Sequence, residues 1–418
     1  MRRQLISLVF VLIFCGSADT LKLSLDSCLA IARRYSPYRG EEIYHRRQVL
    51  AKSATAVKPI LPAPFFNLTY SLTSKIENKS YTGQIGINQT LFSVEALSGL
   101  IGIGSLIQSE KASARLSRAK LAYLTTTAYY QLFKMQEIYR VKREEAAKRE
   151  SLFRANEVMF RLNRIARLDL LRSESDFYQA KMEADDAQKE LLLSQENLKK
   201  VLGWERDDFL IAQESLSPPV IETLPFSQFL QELKKKNPEL RSVAAEEDFA
   251  RLSYYSAFFS FLPSISLSLS SNYSDSLSFP KGLSEWKEKG FSRLSLSLHF
   301  PFLDLPGYSL SLLSKSQDRH WRELLRRNTW FSLLTEARDA YLSLRSKYLR
   351  YLYARKNWEL AQELLRFGEE ERRLGKISYL DFLDIETKYH NAYELYLSSI
   401  VEIKEAAAKI EYLLGGEE

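Results

Sequence analysis

The chain carries two copies of one sequence pattern, and this duplication constrains its fold more than any other feature. Residues 23 to 72 recur as residues 224 to 273, and residues 90 to 203 recur as residues 302 to 415. The copies differ in length between these two matched blocks, where a surface loop tolerates insertion. The duplication therefore predicts two structurally equivalent halves within one chain.

Short landmarks fix the alignment of the two copies. They are Ser36-Pro37 with Asn237-Pro238, Leu61-Pro62 with Leu262-Pro263, and Leu202-Gly203 with Leu414-Gly415. The first two pairs are 201 residues apart, and the third pair is 212 residues apart. We therefore expect a first repeat over residues 19–213 and a second repeat over residues 214–418.

The amino terminus has the pattern of an export signal. Arg2 and Arg3 precede an apolar run from Leu5 to Phe14, and small residues follow it. This arrangement predicts a signal peptide over residues 1–18. The run is too short to span a bilayer, and no later segment reaches the roughly 18 uninterrupted apolar residues of a membrane helix. We therefore expect the mature chain to be exported without a helical anchor.

Cysteine, charge and histidine placement argue against several kinds of site. Cys15 leaves a lipoprotein alternative open, and if it is removed with the signal then Cys28 alone remains, so we expect no disulfide framework. The 59 basic and 52 acidic residues alternate along predicted helices, so the net charge of +7 does not indicate nucleic-acid binding. The histidines, His45, His299, His320 and His390, are isolated in the sequence. We expect no metal site, no cofactor and no enzymatic activity.

Four segments alternate apolar residues with small polar residues, as β-strands with two different faces do. We place these strands at about 64–74, 82–92, 264–274 and 291–302. The apolar positions include Phe66, Leu68, Tyr70, Leu267, Leu269, Leu296 and Leu298. One alternative is a soluble sheet with one buried face. The strand length and the Ser, Thr, Asn and Gln on the other face favour a membrane barrel with a watery lumen.

Four strands cannot close a membrane barrel, because an open edge in lipid leaves backbone groups without partners. Several chains would have to share one barrel. The segments that follow the strands are poor in Gly and Pro and predict very long helices, roughly 90 Å for the first. Gly99, Gly102 and Gly104 are expected to let the chain turn from the sheet into that helix.

The last predicted helix carries an apolar seam with spacings of three and four residues, which is typical of a coiled coil. The seam consists of Tyr389, Tyr393, Tyr396, Ile400, Ile403, Ala407, Ile410 and Leu414. An intramolecular bundle is one interpretation of this seam. The other is that such long helices need neighbouring chains to bury their apolar stripes.

Two short segments join consecutive long helices and form the predicted hairpin tips. The first lies between Arg161 and Asp169, and the second lies between Arg373 and Asp381. Gly375 suits the position just after a helix end, where the backbone takes a left-handed conformation. Ser378, three residues before Asp381, predicts a capping box at the start of the next helix.

The chain resembles the TolC family of outer-membrane factors, which are the exit ducts of efflux pumps and type I secretion. The resemblance rests on the repeated helix-strand-strand-helix-helix order, on the proline landmarks, and on the segment GKISYLDFLDIETKYHNAY from Gly375. It implies a mainly α fold with a β-barrel, in which a homotrimer forms a 12-stranded outer-membrane barrel and a long periplasmic α-helical barrel.

The resemblance also implies functional residues at the tips. Asp381 and Asp384 match two acidic residues that ring the closed periplasmic entrance in that family, and they form the predicted pore constriction. The first repeat has Asp169 at one matching position but Arg172 at the other, and Ile377 stands where the resemblance implies an Arg that makes closing contacts. The predicted adaptor-docking residues are Asn163, Ile165, Asp169, Gly375, Lys376 and Ser378.

The expected function is a passive outer-membrane channel of a tripartite efflux pump or a type I secretion system. The expected partners are a periplasmic adaptor (membrane fusion protein) and an inner-membrane pump of the resistance-nodulation-division, ABC or major facilitator type, together with outer-membrane lipid. The alternative is a non-conducting periplasmic coiled-coil scaffold or envelope spacer.

Overall fold

The computed structural model describes residues 20–73, 78–213, 225–280, 282–301 and 305–416. The predicted signal peptide, with Cys15, lies outside these residues. Residue 214, where we placed the start of the second repeat, also lies outside them, so the repeat boundary stays a prediction.

Each repeat contributes two helices, two long strands and two long helices. The expected first repeat contains β1 (Thr20–Leu23), α1 (Leu25–Tyr35), α2 (Arg39–Val57), β2 (Ala63–Thr73), β3 (Asn78–Phe92), α3 (Val94–Arg161), α4 (Arg167–Leu202) and β4 (Phe209–Ala212). The expected second repeat contains α5 (Phe226–Lys236), α6 (Pro238–Phe258), β5 (Ser264–Asp275), the additional short helix α7 (Leu283–Lys289), β6 (Phe291–His299), α8 (Leu305–Arg373) and α9 (Tyr379–Leu413). The structure is thus mainly α with a smaller β component.

None of the helices in the described part of the chain has a stretch that is long and apolar enough to cross a membrane.

The helix expected before each strand pair is in fact two helices, and the proline landmarks explain the break. In the second repeat α5 ends at Lys236 and α6 begins at Pro238. Proline has no backbone N–H and disfavours a helical conformation in the residue before it. The Asn237 side chain accepts a hydrogen bond of 2.9 Å from the Leu240 N–H and so caps α6.

The expectation that three glycines turn the chain after β3 is wrong. Gly99, Gly102 and Gly104 all lie inside α3. A Cβ at Gly102 would lie 2.9 Å from the Phe249 ring of α6. Gly102 therefore allows α3 and α6 to pack closely, while the other two glycines have no such contact.

The chain divides into two compact units, and each unit draws residues from both repeats. The sheet unit comprises Glu42–Leu116 and Lys236–Leu334. The hairpin unit comprises Met1–Glu41, Ser117–Lys235 and Thr335–Glu418.

The sheet unit contains one antiparallel sheet with the strand order β2-β3-β5-β6. Its register pairs Phe66 with Ile85 on β3, and pairs Leu269 of β5 with Leu294 of β6. Because neighbouring pairs alternate faces, all seven apolar residues singled out in the sequence lie on one face. We call this the apolar face and the other the polar face.

A seven-residue helix that the sequence analysis did not predict, α7, packs on the apolar face. The Trp286 indole Nε1–H donates a hydrogen bond of 3.0 Å to the Ser271 hydroxyl. A Cβ at Gly83 would lie 2.7 Å from the Trp286 ring, so Gly83 leaves space for it. The missing side chain at Gly83 of β3 therefore allows α7 to pack on the sheet through Trp286.

The hairpin unit contains a second, two-stranded sheet that the sequence analysis also missed. Strands β1 and β4 pair in parallel, so this sheet joins the two ends of the expected first repeat. The Tyr129 hydroxyl of α3 donates to the Gln213 carbonyl oxygen at 2.9 Å, and the Gln195 amide of α4 donates to the Leu210 carbonyl oxygen at 3.0 Å. These bonds attach the sheet to the long helices.

The central part of the α9 seam is buried within the chain itself. Tyr396, Ile400 and Ile403 are buried, and the Trp358 ring of α8 stacks on Tyr396 with centroids 4.6 Å apart. The intramolecular interpretation is therefore correct for the central part of this seam.

Candidate functional site at the hairpin tips

The first hairpin tip closes with a Schellman motif at the end of α3. The Asn163 N–H donates to the Phe160 carbonyl oxygen at 2.8 Å, and the Arg164 N–H donates to the Met159 carbonyl oxygen at 2.9 Å. Asn163 has φ of 53°, and it is the one non-glycine residue with positive φ in the described part of the chain.

The second tip repeats the same turn 212 residues later. The Gly375 N–H donates to the Arg372 carbonyl oxygen at 3.0 Å, and the Lys376 N–H donates to the Glu371 carbonyl oxygen at 2.9 Å. Gly375 has φ of 68°, so it occupies the left-handed position predicted for it. Apart from its two chain neighbours, no described residue has an atom within 4 Å of the place where its Cβ would be.

The two tips differ at the start of the next helix. The Ser378 hydroxyl accepts a hydrogen bond of 3.1 Å from the Asp381 N–H, as a helix cap does, and it also lies 2.7 Å from Asp381 Oδ2. In the first tip the equivalent position is Ala166, whose methyl side chain has no polar atom to accept a hydrogen bond and so cannot cap α4. The predicted cap at Ser378 is therefore confirmed for the second tip alone.

Asp381 and Asp384 are both exposed and lie one helical turn apart at the start of α9. Asp384 has a partner that the sequence analysis missed, because the Lys388 Nζ lies 2.5 Å from its Oδ2. The four-residue spacing of these two residues on one helix is the signal that could have revealed the pair. The aligned residue of the first repeat, Arg172, is exposed and carries the opposite charge.

The predicted docking residues fall into two groups on the two turns. Asn163 and Asp169 are exposed, Ile165 is half-buried, and Gly375, Lys376 and Ser378 are exposed. In the described part of the chain no hydrogen bond or ion pair joins one group to the other. Exposed apolar side chains surround the first turn, namely Val158, Leu162, Leu168 and Leu171.

A cation–π contact and a glycine pack the second tip. The Arg372 guanidinium lies 4.6 Å from the centroid of the buried Phe382 ring. A Cβ at Gly368 would lie 3.0 Å from Ile385 Cδ1, so a larger residue there would crowd α9.

Further along the same helices, charged residues connect α3 to α9. Arg149 is buried and lies 3.4 Å from a Glu386 carboxylate oxygen and 3.6 Å from one of Glu145. Nearby, His390 Nε2 is shielded from solvent and makes no hydrogen bond. Burial lowers the pKa of His390, while the neighbouring carboxylates of Glu145 and Glu386 act in the opposite direction.

No group of three His, Cys, Asp or Glu side chains that could hold a metal ion occurs among the described residues. Cys28 is buried, and burial raises the pKa of its thiol to about 12.

Comparison with known proteins defines the class of fold. No protein-family model and no curated protein sequence matches this chain. Several solved structures do match it over nearly its whole length. The outer-membrane channel CmeC of Campylobacter jejuni has a TM-score of 0.77 at 13% identity, over 94% of this chain and 85% of that one. CusC, whose structures are described in terms of folding and transmembrane channel formation, has a TM-score of 0.75 at 14% identity. The match covers 98% of this chain and 96% of that one.

The outer-membrane channel MtrE of Neisseria gonorrhoeae, solved in an open state, has a TM-score of 0.73 at 18% identity, over 97% of this chain and 94% of that one. The chain therefore has the fold of these outer-membrane channels. At such identities the likeness extends to the fold, and the function has to be argued from this chain's own residues.

Proposed function

We propose that this protein is a passive outer-membrane channel in which three copies complete one barrel. The observation that carries the proposal is the four-stranded sheet, which combines an exposed apolar face with two edges that have no partner strand among the described residues. Strands β2 and β6 form these edges. Each property has a physical consequence that a membrane barrel satisfies.

The apolar face is suited to lipid rather than to water. Phe66 is 60% exposed and Leu296 is 61% exposed, and Leu68, Leu269 and Leu298 are exposed beside them. A soluble monomer rarely exposes a continuous apolar patch of this kind. Bacterial outer-membrane barrels carry such a band on every strand and place polar residues on the side of the lumen.

The edges require a closed ring once the sheet is in lipid. A hydrocarbon environment offers no water to the backbone N–H and C=O groups of β2 and β6, and each group left alone costs several kcal/mol. Pairing β6 of one copy with β2 of the next would satisfy both edges. Three copies would then supply twelve strands, an even number within the range of outer-membrane barrels. The number three comes from the family resemblance.

Exposed apolar stripes on two helices supply surfaces for neighbouring copies. On α4, Leu171, Tyr178 and Met182 are exposed at spacings of seven and four residues. The stripe on α8 consists of Leu349, Tyr353, Leu360, Leu364 and Phe367. A groove lined in part by Leu349, Tyr353 and Leu395 runs beside it. Burying these stripes between copies would form the α-helical barrel in the periplasm.

The tips then carry the gate and the docking surface. Three copies would bring Asp381 and Asp384 together as six carboxylates around a periplasmic constriction, with Lys388 offsetting part of their charge. The two turns, with Asn163 and Gly375 at their left-handed positions, would dock a periplasmic adaptor.

Because a passive duct performs no chemistry, the energy for transport would come from an inner-membrane pump of the resistance-nodulation-division, ABC or major facilitator type. Its cargo would be small molecules in efflux or proteins in type I secretion.

Membrane fractionation followed by conductance recording tests the proposal. We expect the protein in the outer-membrane fraction as a detergent-stable, heat-modifiable oligomer that produces discrete current steps in planar bilayers. A coiled-coil scaffold would instead leave with the soluble periplasmic fraction and produce no steps. That second outcome would overturn the channel proposal.

A further inference from the structure

The polar face of the sheet is almost free of charge. Strand β5 contributes Ser266, Ser268, Ser270 and Asn272 to it. The other strands add mainly Ser, Thr, Asn and Gln, and the exceptions include Phe65, Phe291 and His299. No carboxylate lies on this face among the described strand residues.

Arg293 is the one exception in formal charge. It pairs with Ser270 across β5 and β6, so its side chain lies on the polar face. It is exposed, and its guanidinium lies 5.5 Å from the centroid of the neighbouring Phe291 ring. No carboxylate in the described part of the chain lies within ion-pair distance of it. The guanidinium is therefore a permanent positive charge without a counter-ion on this surface.

The position of Arg293 along the strand also follows from the topology. Helices α2, α3, α6 and α8 all connect to one end of the long strands, and the β2–β3 and β5–β6 connections lie at the other end. Arg293 is the third residue of β6 and so lies towards the end with these connections. In a channel whose helices are periplasmic, that end is the external mouth.

We infer that three copies of Arg293 form a cationic ring inside the barrel near its external mouth, and that this ring gives the barrel a preference for anions. The inference rests on the proposed trimeric channel. A charge in a water-filled passage with low-dielectric walls acts on permeating ions more strongly than the same charge on an open surface. Rings of Arg or Lys favour anions in pores in the same way that acidic rings favour cations.

The ring would make the two ends of the duct opposite in charge. Asp381 and Asp384 would favour cations at the periplasmic entrance, whereas Arg293 would favour anionic groups, such as carboxylates and phosphates, at the exit. Apart from Arg293, the described polar face of the sheet carries no Asp, Glu, Lys or Arg. An anionic cargo would therefore pass the acidic residues at the entrance first and reach the attractive charge of Arg293 at the exit last.

Reversal potentials across a KCl gradient test the inference. We expect Arg293→Ser to lower the anion-to-cation permeability ratio by about twofold at ~0.1 M salt, where the Debye length is ~10 Å, and by more at lower salt. Arg293→Lys, which keeps the charge, should leave the ratio unchanged. The double variant Arg293→Ser with Ser295→Arg moves the charge by one position on the same face and should restore the wild-type ratio.

A cysteine variant provides a test that does not depend on comparing separately folded proteins. In Arg293→Cys channels a cationic thiol reagent should raise the anion preference and an anionic reagent should lower it. Cys28 should not react, because it is buried and its pKa is raised to about 12.

The outcomes separate the inference from the proposed function. If wild-type channels conduct but neither Arg293→Ser nor complete modification of the cysteine changes the ratio, the inference is wrong and the channel stands. If the wild-type protein forms no conducting channel, the proposed function fails and the ring fails with it.

Discussion

Asn163 and Gly375 occupy the same position in the two copies and adopt the same left-handed backbone with different residues. An ordinary side chain in this conformation costs about 1–2 kcal/mol, whereas Gly avoids this cost and Asn often tolerates the conformation. The two copies therefore show two residues, Asn and Gly, that are compatible with this turn. The first copy shows which side chain the second copy should accept.

We expect Gly375→Asn to preserve transport and Gly375→Val to impair it. Valine would destabilise the left-handed turn by about 1–2 kcal/mol or more, because its β-branch makes that conformation harder to adopt. Trimers should form with both variants, since among the described residues no atom beyond the two chain neighbours lies within 4 Å of the Gly375 Cβ position. Transport assays and cross-linking of the adaptor to Lys376→Cys would measure the effect. Normal cross-linking with Gly375→Val would count against docking at this turn.

Residues aligned by the duplication also exchange charge. His45 lies 2.7 Å from Glu110 in the first repeat, and the aligned residues Glu246 and Arg322 lie 2.5 Å apart in the second. The side-chain contact between these helices is retained, and the carboxylate lies on the opposite helix in the second repeat. The sequence alone could not show this, because each pair joins residues more than 60 positions apart.

The shielded imidazole of His390 should make stability depend on pH. Burial lowers its pKa in the folded chain below the value of about 6.5 expected when unfolded. The unfolded chain therefore binds the proton more readily, and stability present above about pH 6.5 is lost as pH falls through that range. His390→Gln, which cannot titrate, should reduce the drop in thermal unfolding midpoint between pH 7.5 and 5.5. An equal drop in both proteins would contradict this assignment.

At the scale of single elements, the adjacent positions Leu296 and Ser297 of β6 point to opposite faces of the sheet. We expect Leu296→Arg to cost about 2–4 kcal/mol in the membrane, because it places a charge on the lipid side. Ser297→Arg should be mild, because its side chain would lie in the lumen. The yield of heat-modifiable trimer in the outer membrane measures both. Equal losses from the two substitutions would refute the assignment of the faces.

The long strands could be predicted because a two-residue alternation is visible directly in the sequence, and the long helices because Gly and Pro are scarce. The observed strand β5 begins at the expected position, Ser264, and β2 begins at Ala63, one residue before the position expected. Strands β1 and β4 could not be predicted, since four residues are too few to show a period. The packing of α7 on the sheet could not be predicted either, because it depends on a contact between Gly83 and Trp286, which are far apart in the sequence.

At the tips the turn geometry could be predicted from Gly375 and the cap from Ser378, because both depend on local backbone chemistry. The partner of Asp384 was visible as a four-residue spacing and was missed. The lack of a side-chain cap at Ala166 could also be predicted, because an alanine side chain has no hydrogen-bond acceptor. The constriction and docking roles depend on other chains, so they stay predictions.

In the whole molecule the two repeats share the long sheet. The pairing of β3 with β5 joins the repeats in that sheet, whereas the pairing of β1 with β4 stays within the expected first repeat. In the long sheet neither repeat therefore pairs all of its strand edges alone. The duplication is visible in the sequence, but the folded units do not follow its boundary.

The proposed gate predicts a change in ion selectivity of the complete channel. Asp381→Ala with Asp384→Ala should reduce cation preference and weaken block by divalent cations in planar bilayers, because charge at a narrow neck acts strongly on permeating ions. Folding should change little, since the Ser378 cap remains and the exposed pair with Lys388 is worth about 0.3–0.5 kcal/mol. Asp169→Ala in the first repeat is the matched control. Unchanged selectivity and block in the double variant would place the constriction elsewhere.

In a barrel of three copies the free edges of the sheet meet between copies, and disulfide trapping detects that contact. Cysteine pairs would be placed at polar-face positions of β2 and β6, such as Thr69 with Ser295, and at neighbouring registers, in Cys28→Ser protein. A disulfide forms when the two Cα atoms lie about 4.4–6.8 Å apart. We predict that at least one register gives covalent dimers and trimers on denaturing gels, with no species above three chains. Absence of cross-links in every register, or a ladder that continues beyond three chains, would contradict a closed barrel of three copies.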